Sequence, residues 1–181
     1  MTTANKLTLL RVILIPVFML LMLIPFPGHV LVSLLVFAVA SLTDSVDGYI
    51  ARKYNQITTF GKFADPLADK LLVAAALLIF VQWGQIPAWA AFVILAREFA
   101  VTALRLVAAN HGTVVAAGKS GKIKTAVTLV FLCLMMTPLH SCFVIPGLLT
   151  VDGLGTGLMV IVTVWSGVVY FRAYAHLLDM K

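Results

Sequence analysis

The sequence predicts an all-α integral membrane protein: six transmembrane helices preceded by an N-terminal interfacial amphipathic helix, with both termini cytoplasmic. Three observations lead there. Hydrophobic residues make up 62% of the 181 residues and charged residues 11%, against about 45–50% and about 25% in soluble domains. Six apolar runs approach the length of a membrane helix, which needs about 20 residues. The 13 lysines and arginines leave three long stretches empty. So few charges cannot cover the surface of a soluble domain, and the composition also excludes a disordered chain. Cys133 and Cys142 both sit in apolar context, so no disulfide scaffold is implied. The length suits a single domain over residues 1–181.

The elements follow in order. Thr2–Arg11 mixes Asn5, Lys6, Thr8 and Arg11 with leucines, which reads as an interfacial amphipathic start. No small-residue cleavage site follows the next apolar run, so it is not a cleavable signal peptide. The six spans are Leu9–Phe26, His29–Ala51, Gly61–Trp83, Ile86–Ala108, Lys124–His140 and Leu154–Ala175. Breaks fall at Pro25-Phe26-Pro27-Gly28, at Gly84-Gln85-Ile86-Pro87, and between Pro138 and Gly155. No Lys or Arg occurs between Arg11 and Arg52, between Lys70 and Arg97, or between Lys124 and Arg172. These gaps hold the outer turns, so the positive-inside rule places both termini in the cytoplasm. The basic residues mark topology and form no nucleic-acid-reading face, so no nucleic-acid partner is expected. The expected location is the inner (cytoplasmic) cell membrane, with any chemistry at the cytoplasmic face.

Four of the seven acidic residues lie between Asp44 and Asp69. Ionisable residues inside spans are expensive and mark functional sites by default. Asp44 and Asp47 are spaced i,i+3 at the inner end of span two. Asp65 and Asp69 are spaced i,i+4 at the inner start of span three. Each pair shares a helical face, and a tight turn between the spans would bring the faces together. Four carboxylates in one pocket repel strongly unless divalent cations neutralise them. Oxygen ligation without nearby His or Cys suits Mg²⁺, Mn²⁺ or Ca²⁺ rather than zinc. The alternative is simple pairing with Arg52, Lys53, Lys62 and Lys70. A divalent-ion transporter is a second alternative, but it would want acids at the midplane of broken helices, whereas spans two and three have no Pro or Gly at their middles. Gly48 permits close approach, and Arg52 has the fork geometry that suits phosphate oxygens.

The whole stretch reads Asp44-x2-Asp47-Gly48-x2-Ala51-Arg52-x8-Gly61-x3-Asp65-x3-Asp69. It resembles the CDP-alcohol phosphatidyltransferase family at every fixed position of that family's motif, and Asn5-x-Leu7-Thr8-x2-Arg11 is similar to the segment that opens these enzymes. The resemblance implies transfer of a phosphatidyl or related group from a CDP-linked donor to an alcohol, with release of CMP. It implies that Asp44, Asp47, Asp65 and Asp69 hold two divalent cations, Mg²⁺ or Mn²⁺, with Asp65 bridging and Asp69 also the general base. It further implies that Asn5, Thr8, Gly48, Arg52 and Thr58 contact the CDP donor, and that the protein is a homodimer in the lipid bilayer.

A second polar group concerns the acceptor. Arg97 lies about 16 Å along the helix from Ile86, too deep for an interfacial anchor. Glu98 is adjacent to it, and adjacent residues do not share a face. Arg105 lies two turns beyond Arg97, on roughly the same face. The following loop carries Lys119, Lys122 and Lys124 around Gly121. Arginines and lysines aimed at one pocket suit an anionic acceptor, most simply a phosphate. Within the family, Arg97-Glu98-Phe99, Arg105 and Gly121-Lys122-x-Lys124-Thr125 resemble the bacterial branch that takes CDP-diacylglycerol as donor and sn-glycerol 3-phosphate as acceptor. An inositol phosphate, or phosphatidylglycerol, is the alternative acceptor.

Overall fold

The computed structural model describes residues 3–53, 59–110, 118–141, 143–145 and 149–174. These form six α-helices: α1 (Thr3–Leu23), α2 (His29–Lys53), α3 (Thr59–Gln82), α4 (Ala88–Asn110), α5 (Lys119–Met135) and α6 (Val151–Tyr174). A short 3-10 helix, Pro138–Ser141, follows α5. Next comes an antiparallel pair not expected from the sequence, β1 (Phe143–Ile145) and β2 (Leu149–Thr150). Phe143 lies opposite Thr150 and Ile145 opposite Leu149. The chain divides into two compact units, Met1–Gln82 and Trp83–Lys181.

In the first unit, α1 packs against both α2 and α3, and those two also meet. The buried residues of α1 are Thr8, Arg11, Ile15, Phe18 and Met22. Their alternating three- and four-residue spacing is the inward face of a packed helix. The amphipathic start is therefore not a separate element: α1 is one helix from Thr3 to Leu23, which corrects the expectation of an interfacial helix before the first span. The cause is that Thr8 and Arg11 fall on the same row as Ile15 and Phe18, so the polar residues turn inward with the packing face. Phe18 meets Phe37 of α2 with ring centroids 5.5 Å apart. The turn after α1 is set by Pro27 and Gly28. His29 N–H donates to the Phe26 carbonyl at 3.1 Å, and Gly28 has φ +79°. That is the backbone of a turn with Pro at its second position and a left-handed residue at its third, a position glycine fills without strain.

In the second unit, α6 packs against both α4 and α5. The inward row of α4 runs Ala90, Ile94, Val101, Leu104 and Ala108, and Arg97 falls within it by spacing. The inward row of α5 is Ser120, Lys124, Thr128 and Leu132. That of α6 is Thr156, Met159, Thr163, Ser166 and Tyr170. The packed faces here are thus rich in polar groups, while large apolar side chains face outward, Phe92 being 71% exposed. Among the described residues α6 is the one helix long and apolar enough to cross a membrane. Thr8–Leu23 and His29–Thr43 are shorter apolar stretches. The helix α4 carries Arg97, Glu98 and Arg105 near its middle, which breaks its apolar run.

Of Gly155 and Gly157 near the start of α6, Gly155 is in tight contact. A Cβ there would lie 2.6 Å from Cδ1 and 3.1 Å from Cγ of Phe131 on α5, whereas Gly157 faces open space. Gly155→Ala should therefore overpack the contact and cost about 1–3 kcal/mol. Thermal unfolding of purified protein in detergent would show a lowered midpoint, with Gly157→Ala close to the parent.

Candidate active site

The acidic segment is carried on two consecutive helices. Asp44, Asp47, Gly48 and Arg52 lie in the C-terminal part of α2, and Asp65 and Asp69 in the first half of α3. Both helices run unbroken through these positions, so each aspartate pair keeps the helical spacing that puts it on one face. Asp69 is half-buried and partnered. It follows buried Ala68 and precedes buried Leu72 and Val73 by one turn, so it stands at the margin of the packed face of α3. Thr8 is buried on α1, one turn before the equally buried Arg11. The side chains of Asn5, Asp44, Asp47, Arg52 and Asp65, the surroundings of Gly48, and the whole of Thr58 lie outside the described residues.

The second unit shows its polar group in detail. Glu98 Oε1 accepts from Arg97 Nη1 at 2.7 Å and from Lys124 Nζ at 3.0 Å. The neighbours Arg97 and Glu98 therefore do pair, contrary to the expectation from helix geometry. Cα positions one residue apart point about 100° apart around a helix, but both side chains are long enough to close that angle. Arg97 Nη2 also donates to Ser166 Oγ at 2.5 Å, which ties α4 to α6. Lys124 is 4% exposed, so its charge is committed to Glu98. A buried cation costs several kcal/mol unless paired, and Glu98 supplies the pairing for two.

Tyr170 of α6 organises the other end. Its hydroxyl accepts from Arg105 Nη2 and from the Gly118 N–H, each at 2.8 Å. The guanidinium carbons of Arg97 and Arg105 lie 5.4 Å and 5.3 Å from its ring centroid, within the range of cation–π attraction. Arg97, Arg105 and Lys124 thus meet in one seam with Glu98, Ser166 and Tyr170. Lys119 and Lys122 are exposed on the first turn of α5. The sequence reading missed Ser166 and Tyr170. The signal was present in the polar row Thr156, Thr163, Ser166, Tyr170 on an otherwise apolar helix, because small and polar residues mark the packed face of a membrane helix.

Carboxylates on paired helical faces in one unit, and a basic seam in the other, suit an enzyme that handles phosphate groups. A family model of the CDP-alcohol phosphatidyltransferases matches residues 1–170, across both units. The chain is 56% identical over 133 residues to a Bacillus subtilis (strain 168) protein named CDP-diacylglycerol–glycerol-3-phosphate 3-phosphatidyltransferase, covering 67% of this chain and 69% of that one. It is 39% identical over 191 residues to a Pseudomonas fluorescens protein of the same name, covering 98% and 92%. It is 42% identical over 141 residues to a Mycobacterium tuberculosis (strain ATCC 25618 / H37Rv) protein named probable phosphatidylglycerophosphate synthase, covering 76% and 67%. The chain belongs to the CDP-alcohol phosphatidyltransferase family.

The seam makes its own prediction. Glu98→Ala leaves two buried cations without their shared carboxylate, a change that typically costs about 3–5 kcal/mol. Its thermal midpoint in detergent should fall well below that of Lys122→Ala, which removes an exposed charge. Equal midpoints would remove Glu98 from its structural role.

Proposed function

We propose that the chain transfers the phosphatidyl group of CDP-diacylglycerol to sn-glycerol 3-phosphate, giving phosphatidylglycerophosphate and CMP. It is then a CDP-diacylglycerol–glycerol-3-phosphate 3-phosphatidyltransferase, as its relatives from B. subtilis and P. fluorescens are named. The observation that carries the reading is the complete acidic motif on α2 and α3 in a chain that matches these relatives. The whole chain is taken as one enzyme domain, because the family match runs across both units.

The donor set of Asp44, Asp47, Asp65 and Asp69 fits a divalent cation: it is all oxygen, fourfold acidic and free of His and Cys. These residues would hold Mg²⁺ or Mn²⁺ as a pair of ions. When bound, such ions neutralise the donor's pyrophosphate and the charge that develops on the leaving CMP. Asn5, Thr8, Gly48, Arg52 and Thr58 hold the CDP part of the donor. Asp69 takes the proton of the acceptor's primary hydroxyl. That oxygen attacks the phosphorus bearing the diacylglycerol, and the bond from this phosphorus to the CMP phosphate breaks. No covalent enzyme intermediate forms. An ordinary carboxylate is a weak base for an alcohol, with a pKa of about 4, so placement and polarisation contribute more than base strength.

The acceptor's phosphate is recognised by the basic group of the second unit. Arg105, Lys119 and Lys122 are exposed and provide the direct charge. Arg97 and Lys124, paired through Glu98, shape the seam behind them. One carboxylate among five cations leaves it strongly positive, which favours a phosphate-bearing alcohol over a neutral one. The same composition that gives outward-facing apolar side chains supports six spans in the inner cell membrane. Both termini and the acidic residues then face the cytoplasm, following the Lys and Arg distribution. A homodimer is proposed on the family resemblance.

Three outcomes test this. Asp69→Asn should reduce CMP release by at least about 100-fold, the low end of general-base catalysis, while CDP-diacylglycerol binding is largely kept; retained turnover would take Asp69 out of the base role. Arg105→Ala and Lys122→Ala should each raise KM for glycerol 3-phosphate by about tenfold, the scale of one charge-assisted hydrogen bond, with little change for CDP-diacylglycerol. Chelation with EDTA should abolish CMP release, and Mg²⁺ should restore it.

A further inference from the structure

We propose that Tyr170 is a positioning residue for the acceptor end of the reaction, fixing where Arg105 and the basic first turn of α5 stand relative to each other. The inference rests on the acceptor reading above and adds a residue to it. Tyr170 is 3% exposed and lies on the inward row of α6. It therefore does not offer its own hydroxyl to a ligand in solution. Instead the hydroxyl oxygen receives two hydrogen bonds from elements separated in sequence. One comes from the Arg105 guanidinium on α4, the other from the backbone N–H of Gly118, the residue that caps α5.

Both bonds are 2.8 Å long, and the atoms they fix are adjacent to the groups that matter. Arg105 is an exposed cation of the seam. Gly118 directly precedes Lys119, and Lys122 lies one turn further on. Gly118 has no side chain to cap the start of α5, and the Tyr170 hydroxyl holds its N–H instead. A helix start held at one point by a hydrogen bond keeps its first-turn side chains in a defined place. Without that bond the first turn of α5 loses its hydrogen-bonded tie to α6 and Arg105, and the Lys124–Glu98 pair one turn further on is left to hold it.

The sequence around Gly118 is built to admit the ring. A Cβ on Gly121 would lie 3.1 Å from the Tyr170 hydroxyl oxygen and 3.4 Å from Cε2; one on Gly118 would lie 3.6 Å from that oxygen. Two glycines three residues apart share a helical face, and together they form the seat in which the phenol sits. The ring also places its face near Arg97 and Arg105, and Tyr174 stacks on it at 6.3 Å. Tyr170 is thus held by packing on its ring and, through its hydroxyl, holds two cationic elements. Phenylalanine would keep the packing and lose the link.

The test uses the purified full chain in detergent, with CMP release measured against each substrate in turn. Tyr170→Phe should raise KM for glycerol 3-phosphate by about fivefold, the scale of one lost hydrogen bond, with KM for CDP-diacylglycerol changed less than about twofold. Gly121→Ala, which keeps the hydroxyl but crowds its seat, should shift the same constant in the same direction. A merely structural role would lower the amount of active enzyme, and so kcat, without separating the two KM values. Unchanged KM for the acceptor in both variants, or an equal rise for both substrates, overturns the proposal. Arg105→Ala and Lys122→Ala run alongside. If they raise the acceptor KM and Tyr170→Phe does not, Tyr170 alone loses its role. If none of the four variants moves it, the acceptor site itself is misplaced and the proposal falls with it.

Discussion

A chain this apolar has to decide where to put its few charges, and that constraint shapes both units. A charge facing hydrocarbon is expensive, and among the described residues several charges are turned inward or paired. In the first unit Arg11 shares the buried row of α1 with Thr8, Ile15 and Phe18. In the second, Glu98 takes two cations at once, and Tyr170 engages Arg105 through both its hydroxyl and its ring. The result departs from the ordering of a soluble protein. Threonine, serine, lysine and arginine share the packed faces with apolar residues such as Phe18, Phe37 and Leu132, while many other leucines, valines and phenylalanines face out. On the proposed function, packing and substrate handling would draw on the same residues.

On the proposed function, the two units divide the chemistry by charge sign. The acidic motif occupies neighbouring ends of α2 and α3 in the first unit, suited to divalent cations and a pyrophosphate. The basic seam belongs to α4, α5 and α6 in the second, suited to a phosphate on the acceptor. Arg97 illustrates how tightly structure and recognition are joined. Its guanidinium bonds Glu98 on its own helix and Ser166 on another, and also lies close to the Tyr170 ring. Such a side chain orients the groups around it more than it offers itself to a ligand.

Much of this was legible in the sequence. The helices α2, α3 and α4 begin and end within a few residues of the apolar runs, because proline, glycine and polar residues punctuate them. The start of α1 was misjudged for a physical reason. Asn5, Thr8 and Arg11 look interfacial by polarity, yet no breaker separates them from Ile15 and Phe18, and the helix simply continues. The β1–β2 pair was not visible in a short segment with no alternating pattern. The start of α5 at Lys119 rather than Lys124 escaped because its first turn is too basic to read as part of a span. The acidic motif and Arg105 could be singled out from spacing. Ser166 and Tyr170 were not, because their importance lies in partners 69 and 65 residues away, a relation that only folding creates. The Arg97–Glu98 pair shows the limit of face arguments when both side chains are long.

The central claim is that this fold joins a CDP-linked lipid donor to a phosphate-bearing alcohol. It is tested most directly by CMP release from purified protein in detergent with Mg²⁺ and CDP-diacylglycerol, offering one acceptor at a time. The acceptors are glycerol 3-phosphate, inositol 1-phosphate, inositol, serine and phosphatidylglycerol. The account predicts release with glycerol 3-phosphate and none above background with the other four. Release with inositol 1-phosphate, inositol, serine or phosphatidylglycerol, and none with glycerol 3-phosphate, would contradict it.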